Sequence, residues 1–285
     1  MPDRPRNVGA SVRQRLLNLA HARGQPMELL LTRYALERLL HRLSLSRHRE
    51  RFVLKGAMLL ATWFDEPHRA TRDVDLLGYG DAAEDALLAT FREIMAVEAD
   101  DGVTFDLKGL RIEAIREEVE YGGWRLRTTA ALAGARIPIT VDIGFGDAVE
   151  PGVEDIDLPV LLDLPSPYLR AYPPETVVAE KFHAMVALGR ANSRMKDYYD
   201  VWMLTSAFEL DQERLRRAIL ATFARRSTAI PAEVPDGLSD AFATDPGKQR
   251  QWDAFAINLS GSVPEFPRVV RELQALLMVL VRGAS

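Results

Sequence analysis

The sequence predicts an α+β half followed by an all-α half, and three observations carry that reading. Between Thr104 and Asp147, apolar and polar residues alternate in segments joined by links too short for crossover helices, so the strands pair antiparallel. From Pro151 to Pro174 the chain is rich in proline and reads as a linker. Beyond it the apolar residues recur at helical spacing. The predicted division is residues 1–150 for the α+β part, 151–174 for the linker and 175–285 for the helical domain.

The elements follow in order. Arg13–Arg23 and Met27–Leu43 are amphipathic helices, the second with Leu29, Leu36, Leu40 and Leu43 on one stripe. "RFVLKGA", Arg51 to Ala57, is a short buried strand entering a turn, and Met58 to Phe64 continues as a helix. "RDVDLLGYG" is a strand broken by Gly78 and Gly80, and Asp81 can cap a helix reaching about Val97. Strands follow at Thr104–Leu107, Leu110–Arg116, "WRLRTTAALAG" and "ARIPITVDIGFGD". Helices are predicted over Glu175–Leu188, Lys196–Ala207, Asp211–Arg225 and Phe266–Val281.

Composition narrows the function classes. With 47% hydrophobic and 27% charged residues, the chain has the profile of a soluble globular protein. There are no cysteines, which excludes disulfides and thiolate metal sites. "MPDRPRNVGASVRQ" is polar where a signal peptide is apolar, and the longest apolar run, Ala275 to Val281, is far short of the ~20 residues of a membrane span. The expected location is the cytoplasm, without a membrane. Charge is uneven. Residues 1–51 hold eleven arginines, no lysine and four acids, a net +7, so the rest of the chain carries −12. A basic end on an acidic body suggests contact with a polyanion through helix arginines such as Arg13, Arg33, Arg38 and Arg42, or else solvated helix faces.

Three groups of residues could carry chemistry. Asp73 and Asp75 flank Val74 before a core strand. Residues two apart share a strand face, roughly 7 Å apart at Cα. Two carboxylates at about 4 Å repel by about 4 kcal/mol at an effective dielectric of ~20, so a divalent cation or an arginine is needed to offset them. Asp142, alternating with Ile139, Val141 and Ile143, adds a third carboxylate on a strand face. Such an oxygen-rich set suits Mg²⁺ or Mn²⁺ and could hold one or two ions on a nucleotide's phosphates. The bland reading pairs these acids with Arg69 or Arg72. Lys55 and Gly56, at the turn after a strand, could meet phosphate; the alternative is a plain strand–helix turn. Thr71 precedes Asp73 by two residues. In "AEKFHAMVALGRANSRMKDYYDVWML", Lys181 falls mid-helix, Asp197 and Asp200 share a helix face, and Lys196 could pair with Asp200 on the surface. Only five lysines stand against 31 arginines, and three of the five are Lys55, Lys181 and Lys196. His183 reads as packing; without a second histidine at ligand spacing, zinc is improbable.

With these residues in hand, the chain resembles the nucleotidyltransferase AbiEii/AbiGii toxin family. "RFVLKGAMLL", "RATRDVDLL", "VDIGFGD", "AEKFHAM" and "KDYYDVWML" carry the resemblance, which covers nearly the whole chain. It implies a DNA polymerase β-like nucleotidyltransferase core with a mixed or antiparallel sheet, followed by the helical half. It implies transfer from an NTP, with Asp73 and Asp75 as metal and catalytic residues, Asp142 as the third metal acid, and Lys181 and Asp200 as catalytic residues of the helical half. Nucleotide binding falls to Lys55, Gly56, Thr71 and Lys181. Where many members carry Gly-Gly or Gly-Ser at the turn, this chain has Gly56-Ala57, which leaves backbone contacts only. The resemblance also implies an RNA acceptor, with tRNA used by some relatives, and a winged-helix antitoxin partner in a toxin–antitoxin or phage-defence system. Two other classes stay open: a nucleotide-binding kinase-like switch, and a nucleic-acid-binding module without chemistry.

Overall fold

The computed structural model describes residues 7–64, 71–115, 122–257, 259 and 263–282. His68, Arg69 and Arg116 lie outside them. The chain forms two compact units, Met1–Gly146 with Glu154–Ala171, and Asp147–Val153 with Tyr172–Ser285.

The first unit opens with helices α1 (Val8–Arg23) and α2 (Met27–Leu45). The Asn7 side chain caps α1 by accepting from the Ala10 amide at 3.0 Å. Strand β1 (Phe52–Lys55) runs into a 3₁₀ turn (Gly56–Leu59) and the short α3 (Leu60–Trp63). Strand β2 (Val74–Gly78) leads to α4 (Glu84–Ala96). Asp81 stands two residues before the cap position of α4: Ala83 is the cap residue, and Asp81 instead accepts from the Ala83 amide at 2.9 Å. Then come β3 (Thr104–Phe105), β4 (Arg111–Ile115), β5 (Gly123–Leu132) and β6 (Ala135–Phe145).

The segment expected as a linker carries β7 (Glu154–Asp157) and β8 (Tyr168–Ala171). They belong to the first unit's sheet, β8 running parallel to β1 and β7 closing the edge. Its prolines lie between or beside the strands, and the acidic "EDID" suits an exposed edge strand. Among the described residues the sheet has eight strands in the order β3-β5-β6-β2-β1-β8-β7, with β4 also on β5. It is mixed: β2 and β6 are parallel, while β1–β2 and β5–β6 are antiparallel. On β6 the alternation is direct, with Ile137, Ile139, Val141 and Ile143 buried and Thr140 and Asp142 on the other face.

Of the four helix arginines expected to meet a polyanion, Arg13 stays exposed and Arg33 is half-buried, while the other two turn inward. Arg38 and Arg42 are buried, 1% and 3% exposed. Arg42 donates to both carboxylate oxygens of Asp101 at 2.6 and 3.1 Å and to the Val103 carbonyl at 3.0 Å. Arg38 donates to the Pro165 carbonyl, and Arg33 pairs with the buried Glu37. A buried guanidinium needs such partners, and a charge count cannot see an aspartate 59 residues away.

The second unit is helical: α5 (Pro174–Leu188), α6 (Met195–Ala207), α7 (Gln212–Arg225), α8 (Asp240–Ala243), α9 (Pro246–Ala256) and α10 (Phe266–Val281). Asp211 caps α7, accepting from the amides of Glu213 and Arg214. Tyr198, Phe242, Trp252 and Phe266 form its aromatic core, with centroids 5.1 to 5.7 Å apart across Tyr198–Phe242, Tyr198–Phe266 and Trp252–Phe266. Among the described residues, no helix is long and apolar enough to cross a membrane.

Candidate active site

In the first unit, strand register builds a row of charge. Lys55 on β1 stands opposite Asp75 on β2, Asp75 opposite Asp142 on β6, and Asp142 opposite Arg125 on β5. Cross-strand partners point to the same face, so four neighbouring strands present Lys, Asp, Asp and Arg side by side. Val74 and Leu76 face the core between these acids, as alternation requires. The register thus brings Asp75 and Asp142, two of the three predicted acids, to one face. Asp73 lies just before β2, and the Thr71 hydroxyl is 3.1 Å from its Oδ1 and 3.2 Å from its backbone carbonyl, so it donates to one or the other.

Gly56 follows the strand at φ +73°. A Cβ there would lie 2.0 Å from Asp75 Oδ2 and 2.7 Å from Asp75 Cγ. The turn therefore requires glycine twice over, for its backbone angle and because the Asp75 carboxylate lies against it. This ties the "KGA" turn to the D-x-D pair, which sequence spacing alone does not do.

Asp142 is held by a residue the sequence reading missed. Arg125 Nε and Nη2 donate to its two oxygens at 2.7 and 2.6 Å, in the bidentate geometry that matches a guanidinium to a carboxylate. Those hydrogen bonds, helped by the charges of Asp142, Asp73 and Glu113, hold the Arg125 guanidinium above its ordinary pKa against the opposing effect of desolvation. A signal existed. Ala133 and Gly134 have φ +44° and +84°, as in a tight two-residue hairpin. That turn pairs Leu132 with Ala135 and hence Arg125 with Asp142. Among the described residues no three carboxylate or histidine side chains converge as a ready metal cluster.

The second unit holds a separate charged group. Lys181 on α5 meets two acids of α6, Asp197 at 2.6 Å and Asp200 at 3.0 Å. Lys181 is 15% exposed, and the acids 3% and 1%. Asp200 is thus a buried partner of Lys181 rather than a surface residue, while Lys196 is exposed. Arg194 Nε reaches the other Asp197 oxygen at 3.1 Å. A second network surrounds His183. Arg226 Nη1 lies 3.2 Å from His183 Nδ1, while its Nη2 reaches Asp147 at 3.2 Å and Glu180 at 3.3 Å. A guanidinium only donates, so Nδ1 accepts, and Nε2 carries the proton toward Thr228 Oγ1 at 2.9 Å. Burial first, then the Arg226 charge, push His183 down to about 4. Burial pulls Arg226 down too, but the charges of Glu180 and Asp147 outweigh it and hold it raised. His183 is a packed, hydrogen-bonded core histidine, as its sequence context indicated.

The family described as nucleotidyl transferase AbiEii toxin, type IV TA system, matches residues 38–277. The chain belongs to the AbiEii family. The matched range spans the charged row and the Lys181 group, so AbiEii membership makes this a nucleotidyltransferase of a toxin–antitoxin family. In fold the chain is similar to the crystal structure of JHP933 from Helicobacter pylori, at a TM-score of 0.50 and 14% identity, covering 90% of this chain and 92% of that one. It is likewise similar to a candidate nucleotidyltransferase solved from H. pylori, at 0.52 and 15%, covering 88% and 94%. A comparison with curated proteins finds no match.

Proposed function

We propose that this AbiEii protein transfers a nucleotide from an NTP to the 3′ end of an RNA, with tRNA as the acceptor, in a Mg²⁺-dependent reaction that Mn²⁺ can also support. The observation that carries the reading is the close fit of the Asp75 carboxylate against Gly56, beside Asp142 on the adjacent strand. The donor set fits a hard divalent ion: Asp73 and Asp75 stand two residues apart and offer carboxylate oxygens only. Those two acids would hold the ion, which when bound supplies charge neutralisation for the triphosphate. The Gly56 turn and Lys55 border the phosphates. Thr71 orients Asp73. The acceptor hydroxyl forms a bond to the α-phosphorus as pyrophosphate leaves. Both oxygens of Asp142 already accept from Arg125. Taking the hydroxyl proton therefore falls to the Asp73–Asp75 pair. Lys181 contributes a cation to nucleotide binding, with Asp197 and Asp200 fixing its Nζ. Positioning and charge carry most of such a reaction. A winged-helix antitoxin is the partner that silences it, and the site of action is the cytoplasm.

The test is incubation of purified protein with each α-labelled NTP and total tRNA. Label entering RNA with Mg²⁺, and absent with EDTA or with Asp73→Asn, supports the reading. Label entering protein, or none entering anything, contradicts it.

A further inference from the structure

Without a bound ion, Asp75 and Asp142, side by side on one sheet face, repel, and positive charge on the chain must offset them. Arg125 does so. It engages both oxygens of Asp142 at 2.7 and 2.6 Å, its side chain is 34% exposed and that of Asp142 only 17%, and it sits in register between Asp142 and Glu113. The Asp73 charge also acts on this guanidinium. Glu113 does not compete for it, because Glu113 is paired with Arg127 at 2.9 Å. We propose that Arg125 is the resident cation at Asp142: by holding that carboxylate in a bidentate pair it takes the place of a second metal, so the chain takes up one divalent ion, on Asp73 and Asp75, rather than two. Arg125 is then a positioning residue. It keeps Asp142 out of the metal's coordination sphere while retaining its negative charge beside Asp75. The inference rests on the metal-dependent reading above.

The proposal makes the ion count a property of one side chain. Replacing Arg125 with glutamine removes the fork and the charge but keeps a shorter polar side chain that ends at the level of Nε. Asp142 is then released beside Asp75, its register partner, and a second ion can bridge them.

The experiment counts Mn²⁺ bound to the purified chain by electron paramagnetic resonance. One ion is expected for the wild type, two for Arg125→Gln, and one again for the double variant Arg125→Gln/Asp142→Asn. Two ions on the wild type, or one on Arg125→Gln, would overturn the proposal and leave metal dependence standing. No ion on any variant would instead remove the metal-dependent reading, and this inference with it. Should Arg125→Gln fail to fold, the wild type alone decides. The Arg125 Nε–H, followed by nuclear magnetic resonance, should exchange with solvent equally slowly with and without saturating Mg²⁺. An acceleration of tenfold or more on adding Mg²⁺ would show that the metal takes Asp142 from Arg125, and would refute the proposal.

Discussion

At residue scale, Gly56 is the sharpest point of the site. Gly56→Ala must accept φ +73° and move the Asp75 carboxylate, since the new methyl would fall 2.0 Å from Oδ2. A destabilisation of about 1–3 kcal/mol in denaturant unfolding is expected, with transfer reduced at least about tenfold. Unchanged stability and activity would show that the turn adjusts freely and that the packing of Asp75 on Gly56 is incidental. Asp73→Asn acts with the opposite sign on stability. It removes one of several like charges, so the metal-free melting temperature should hold or rise, while transfer falls by about a hundredfold or more as the metal site weakens. Loss of both would mark Asp73 as a structural ion-pair partner. His183 adds a pH effect. Its folded pKa of about 4 lies below the unfolded value of about 6.5, so between those values the unfolded chain binds the extra proton. Stability is therefore fully present above about pH 6.5 and is lost as the pH falls toward 4. Between pH 7 and 5 the wild type should lose about 2 kcal/mol more than His183→Gln in urea titrations. Parallel losses would show that other groups govern acid unfolding.

At the scale of elements, the α5–α6 pair depends on its buried charges. Lys181→Met leaves Asp197 and Asp200 without its ammonium in a buried setting. Removing one partner of a buried pair costs about 3–5 kcal/mol. Lys181→Met and Asp200→Asn should therefore couple by at least about 1 kcal/mol in a double-mutant cycle. Additive effects would show that they act independently. How much of this was legible in the sequence depended on the range of the interaction. The D-x-D pair, the buried β6 alternation and the helical second half follow from local periodicity. The linker reading failed because prolines that border edge strands resemble prolines that break structure. Arg42 with Asp101 was hidden because residue type gives charge but not partner, whereas Arg125 with Asp142 could be reached only through the register that the Ala133–Gly134 turn sets. Lys181 with Asp200 was anticipated through the family resemblance, whereas the part played by Asp197 emerged only when two helices met.

At the scale of the whole molecule, the family supplies the class of chemistry and the sheet supplies a place for it. Four strands, two of them parallel, deliver Lys55, Asp75, Asp142 and Arg125 to one face, and the Gly56 turn closes against one of those acids. The central claim is that this row transfers nucleotides to RNA. The most direct measurement is sequencing of cellular RNA 3′ ends after induction of the wild type and of Asp75→Asn. Untemplated nucleotides on tRNA 3′ ends in the wild type alone, appearing as growth stops, are the predicted result. Growth arrest with unaltered RNA ends, or equal arrest by Asp75→Asn, would contradict it.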